Sequence, residues 1–200
     1  MKEKTMIQYV GSANLLMEKR EYTDAFILLY MRFERQCRKL FVWLLVHHYG
    51  IRFSLVEKLL SGGKWGAEKF IQGFDKLSTR GNFEKIVISS GGLSLDEFKM
   101  LKRKFLQAEI REHRGKIVHG SLTGERLESE RLADYCKDLV GWLNAVAAAM
   151  GAIYGYDGVS PLKDTITRKT KSNKLSIRSS KDLAAFLAQK PDDIRQQWQE

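Results

Sequence analysis

Proline is absent from the first 160 residues of this chain, because Pro161 and Pro191 both lie in its last forty positions. Proline removes a backbone N–H and clashes with the preceding turn, so nothing before Gly158 carries the residue that most disrupts a long helix. Apolar side chains recur in that region at steps of three and four, the period of an amphipathic helix. The pattern predicts an all-α fold, an up-and-down bundle of four to six helices over residues 1–157. Residues 158–200 read as a separate basic extension.

A first helix is expected over about residues 4–19, with Met6, Val10, Ala13, Leu16 and Met17 on its buried side. After a short turn at Arg20-Glu21-Tyr22, Thr23 or Asp24 offers a side-chain oxygen to cap a second helix reaching about Tyr49. Phe26, Leu29 or Tyr30, Phe33, Cys37, Leu40 and Leu44 give that helix its apolar stripe, widened by Phe41 and Leu45, which makes it central to the bundle. Ser61-Gly62-Gly63 leads into a helix of about Trp65 to Ser78, and Ser90-Gly91-Gly92 into another starting near Ser94 and ending near Val118. Ser94 with Glu97 three residues on is a capping box. Gly81 to Ile88 fits a frayed helix or a short extended piece, and a last helix is expected from about Glu125 to Tyr154.

The formal net charge of +10 favours encounter with polyanions, nucleic acid first among them. Between Lys163 and Lys181 seven Lys or Arg face one Asp, the composition of a basic linker, and a short helix is expected over Lys181 to Gln189. The best apolar runs, Leu40 to Val46 and Trp142 to Tyr154, fall well short of the ~20 residues of a membrane span, and no leader is evident. A cytoplasmic protein without membrane contact is expected. Cys37 and Cys136 sit within apolar patterns and read as buried free thiols. No metal or cofactor is expected: His47 and His48 diverge on a helix, and Glu109 with His113 is an isolated i, i+4 pair.

The stretch Arg114-Gly115-Lys116-Ile117-Val118-His119-Gly120 carries the chemistry. Arginine presents a planar fork for phosphate oxygens, and imidazole suits proton transfer at neutral pH. Residues five apart on an ideal helix are rotated by about 140°, so Arg114 and His119 converge only where the helix ends or bends between them. Gly115 tolerates distortion, and Gly120 stops a helix before a turn at Ser121-Leu122-Thr123-Gly124.

This arginine and histidine, with four residues between them and a glycine following in an all-helical chain, resemble the R-x4-6-H signature of the HEPN superfamily. The resemblance implies a HEPN-like bundle acting as a metal-independent endoribonuclease, with Arg114 and His119 catalytic in a cleft shared by a homodimer. It also implies a role as a toxin or in defence against phage, with RNA as substrate and an antitoxin or other inhibitory protein as partner. On the second helix, Glu34 and Arg38 match the polar residues that family members often carry there. They are expected either to face the motif helix or to form a surface i, i+4 ion pair. Arg111 and Lys116 are candidate RNA contacts beside the motif. Where the family frequently has Asn, Asp or another polar residue after the motif arginine, this chain has Gly115, and His113 is the candidate substitute. The alternative is a non-catalytic module of the same shape that binds RNA, a nucleotide or a protein.

Overall fold

The structure, a computed structural model, describes residues 6–48, 51–61, 65–77, 88, 93–106, 108–119 and 126–154, with the isolated positions 181, 182, 185 and 188. The described residues are all-helical. Seven α-helices are present among them: α1 (Met6–Glu18), α2 (Tyr22–Trp43), α3 (Phe53–Ser61), α4 (Ala67–Leu77), α5 (Leu95–Leu106), α6 (Ala108–Val118) and α7 (Arg126–Tyr154). That is one more than the largest number expected. The run read as one helix from Ser94 to Val118 is two, α5 and α6, and the short α3 has no counterpart in the periodicity analysis.

Helix α2 is the axis of the molecule. Helices α1, α4, α6 and α7 all pack on it, and α5 closes the remaining side by touching α4, α6 and α7. Its apolar stripe is the expected one: Phe26, Leu29, Phe33, Leu40 and Phe41 are buried, as are Tyr30 and Cys37. The aromatic core grows from it. Phe33 meets Phe105 of α5 at 4.7 Å and the edge of Trp142 of α7 at 5.7 Å, while Trp142 stacks on Phe98 at 5.3 Å. A polar side chain crosses this apolar contact: buried Gln36 donates from Nε2 to the Leu143 carbonyl at 3.2 Å. The small residues Ala145 and Ala149 of α7 are buried within the chain, and Cys37 and Cys136 are buried free thiols.

Helix ends follow local chemistry unevenly. At α5 the capping box forms in full: Glu97 N–H donates to Ser94 Oγ at 3.2 Å, and Ser94 N–H donates back to Glu97 Oε2 at 2.9 Å. At α2 it does not. Thr23 and Asp24 lie inside the helix, whose cap position is Glu21 with no side-chain hydrogen bond. The reason is the turn before it. Glu21 N–H reaches the Leu16 carbonyl at 2.9 Å and Arg20 N–H the Met17 carbonyl at 3.0 Å, with Arg20 at φ 62°. This paired closure of α1 consumes the linker, so α2 starts at once. At its other end α2 passes into a π-helical turn, Leu44–His48, which leaves the adjacent Leu44 and Leu45 both buried.

Several expectations fall outside the described residues: the segment 81–87, both glycine pairs, the turn at Ser121 to Gly124, and almost all of 158–200. Of the tail, Lys181, Asp182, Ala185 and Ala188 are helical and exposed.

Two substitutions test this packing. A Cβ at Gly73 of α4 would lie 2.5 Å from the ring of Phe41, which is itself buried and held between Trp65 and Phe70. Gly73→Ala is therefore expected to destabilise the protein by about 1–2 kcal/mol in urea unfolding, overpacking outweighing the gain in helix propensity. Arg20→Gly, relieving a left-handed non-glycine residue, is expected to stabilise it by roughly 0.5–1 kcal/mol in the same assay.

Candidate functional site

Helix α6 presents the motif. It is regular through Val118, and His119 N–H still donates to the Gly115 carbonyl at 3.0 Å, so the chain stays helical from Arg114 to His119. The expected break between them is not there. The two side chains of one copy consequently leave the helix about 140° apart. Arg114 is half-buried on the side that meets α2, and His119 is exposed at the helix end.

Across α2, the charge of Arg114 acts on two groups one helical turn apart, half-buried Glu34 and buried Tyr30. Burial holds the Glu34 carboxyl above its ordinary value of 4.5, and the guanidinium pulls it back. Burial, with help from Glu34, pushes the Tyr30 phenol up to about 12, so it stays a neutral O–H donor. The cation acting on Glu34 is Arg114; Arg38, one turn further along the same face of α2, is exposed. Both Glu34 and Arg38 line a cavity described below, and Glu34 also feels the charge of the motif arginine.

The other candidates divide as clearly. Arg111 is exposed and ion-paired at 3.7 Å with Glu68 of α4, and Lys116 is exposed. His113 is buried, its Nδ1 3.1 Å from the Glu109 carbonyl and its ring edge-on to Tyr135 at 5.2 Å. It fastens α6 to α7 through this ring contact. The Tyr135 hydroxyl donates to Glu109 Oε1 at 2.6 Å, so that carboxylate belongs to the same clasp. Gly115 has nothing within 4 Å of where a Cβ would be, so packing does not demand glycine there.

The cavity is the feature the sequence analysis missed. It encloses about 670 Å³ between α2, α3 and α4, with Arg35, Arg38 and Lys39 on its α2 wall. Trp43, Phe53, Trp65 and Phe70 line its apolar part. The α2 residues follow one helical face, and they were legible as such. The other walls come from residues up to 36 positions further along, Phe70 from Glu34, and only folding joins them. Among the described residues there is no group of three or more His, Cys, Asp or Glu placed to hold a metal ion, and no helix long and apolar enough to cross a membrane.

No protein-family model, curated protein or solved structure matches this chain.

The pH dependence of stability reports on Glu34. A carboxyl whose folded value is raised favours folding below its unfolded value and loses that advantage as pH rises through the folded one. Glu34→Gln is therefore expected to gain on wild type as the pH of urea unfolding is raised from about 4.5 toward 7, whereas exposed His119→Ala should stay within about 0.5 kcal/mol of wild type. A flat or inverted Glu34→Gln difference would contradict this burial.

Proposed function

We propose that this chain is a metal-independent endoribonuclease that works as a homodimer, with Arg114 and His119 at a cleft between two copies. The observation that carries the reading is the placement of the motif at one end of one helix. Arg114 stands half-buried over Glu34 and Tyr30, and an exposed His119 lies at the tip. Because the regular helix splays the two side chains, a phosphate reaching both is best served by one residue from each of two copies.

The chemistry asks for no metal. One imidazole takes the proton of the RNA 2′-hydroxyl, whose oxygen attacks the adjacent phosphorus. The new P–O2′ bond forms as the P–O5′ bond breaks, and a second, protonated imidazole returns a proton to the leaving 5′-oxygen. The Arg114 guanidinium holds the charge that builds on the phosphorane. Glu34, whose carboxyl feels the Arg114 charge, helps to hold the guanidinium in place. Products are a 2′,3′-cyclic phosphate and a 5′-hydroxyl, and DNA resists for lack of the attacking group.

By the HEPN resemblance, the enzyme serves as a toxin or phage-defence effector in the cytoplasm, restrained by an antitoxin or other inhibitory protein. The aromatic and cationic cavity favours a second reading, a non-catalytic module that holds RNA, a nucleotide or a protein without cutting.

Cleavage of RNA in EDTA decides between them. Wild type is expected to yield cyclic-phosphate ends, and His119→Ala and Arg114→Ala each to lose about 100-fold or more in rate. Mixing the two variants under conditions of subunit exchange should restore part of the activity. Equal rates for all three proteins would remove the mechanism, and intact RNA bound by wild type would favour the module.

A further inference from the structure

The cavity beside α2 has a direction. From Glu34 to Val46 its α2 wall spans about 18 Å at 1.5 Å per residue, charged over its first part and apolar over its last. Arg35, Arg38 and Lys39 come first, and Val42, Trp43 and Val46 follow. Phe53 faces this apolar end from α3 with its side chain 54% exposed, an unusual cost for a large ring unless something covers it. Trp65 and Phe70, stacked on each other at 5.5 Å, form a rigid aromatic floor. Such a gradient suits a ligand that is flat and aromatic at one end and anionic at the other. The volume of about 670 Å³ is within the range of small-molecule sites.

The charged end of the cavity is also where the motif helix lies. Glu34 lines the cavity and carries the influence of Arg114, and Arg111 is paired with Glu68, next to the cavity residue Ala67. A chain whose base entered the cavity would therefore bring its backbone phosphates toward Arg114.

We infer that this cavity is a base-binding subsite that takes a nucleotide, its base against Phe53 and the Trp65–Phe70 pair and its phosphate against Arg38 and its neighbours. A free nucleotide and a residue of a strand present the same chemistry to it, and in a strand the base must be unpaired to enter. The site therefore selects single-stranded over duplex RNA. This deepens the nuclease reading by naming its substrate class, although binding itself does not require cleavage.

The experiment measures binding alone, in EDTA, by anisotropy of a labelled six-residue oligoadenylate carrying 2′-O-methyl groups that block cleavage. Competitors are the same oligomer without bases, the same sequence in a duplex, adenosine monophosphate and inorganic phosphate. The single strand is expected to bind at least about tenfold more tightly than either the abasic or the duplex form, since stacking one base is worth ~1–3 kcal/mol. Phe53→Ala, which changes no charge, should weaken it about tenfold, and Leu15→Ala, equally exposed on α1, should not. Competition by adenosine monophosphate identifies a free nucleotide as a sufficient ligand, and competition by the oligomer alone assigns the site to strands; either supports the subsite. Equal binding of abasic, duplex and single-stranded forms, displacement by phosphate as effective as by the monophosphate, or an unchanged Phe53→Ala would overturn it. Because no bond is cut, a chain that binds this way yet leaves RNA intact keeps the subsite and loses only the nuclease.

Discussion

One buried helix has to satisfy four neighbours, and that demand organises the rest of the molecule. Helix α2 commits most of its circumference to apolar contact with α1, α4, α6 and α7, leaving a narrow arc for polar side chains. The hydrophobic effect supplies the driving force along this stripe, and aromatic rings supply the shape. Where α4 comes close to Phe41, a side chain at Gly73 would crowd the ring. Where a polar group must be buried, at Gln36, it is directed at a main-chain carbonyl.

The arc left over has two edges that face different elements. On one edge, Tyr30 and Glu34 meet the motif helix and are partly dried by it, which keeps the phenol neutral and the carboxyl hard to ionise until Arg114 offsets the cost. On the other, Arg35, Arg38 and Lys39 open onto an aromatic cavity. Glu34 belongs to both edges. A single helix thus joins the surroundings of Arg114 to the cavity.

The regularity of α6 has a consequence for chemistry. Had the helix broken at Gly115, one copy would have brought guanidinium and imidazole together. Because the i to i−4 hydrogen bonds continue to His119, the pair is split by helical geometry. Buried His113 and Tyr135, with exposed Glu109 bonded to the Tyr135 hydroxyl, accompany this continuity. They tie the middle of α6 to α7.

Much of the architecture was readable from residue order alone. The lack of proline and the three- and four-step spacing from Phe26 to Leu44 set an all-helical fold with α2 at its centre, and Ser94 with Glu97 marked the start of α5, because these signals act over one or two turns. The start of α2 was misread since the closure of α1 at Arg20, a tertiary-scale economy of linker, overrode the capping preference of Thr23 and Asp24. Arg114 and His119 could be picked out by residue type, but their faces could not, because helix continuity through a glycine depends on what the helix is fastened to. Pairing Tyr30 and Glu34 with Arg114, burying His113 and joining Arg38 to Phe53 and Trp65 all required folding. Each brings together groups far apart in the chain, and only packed helices fix such distances.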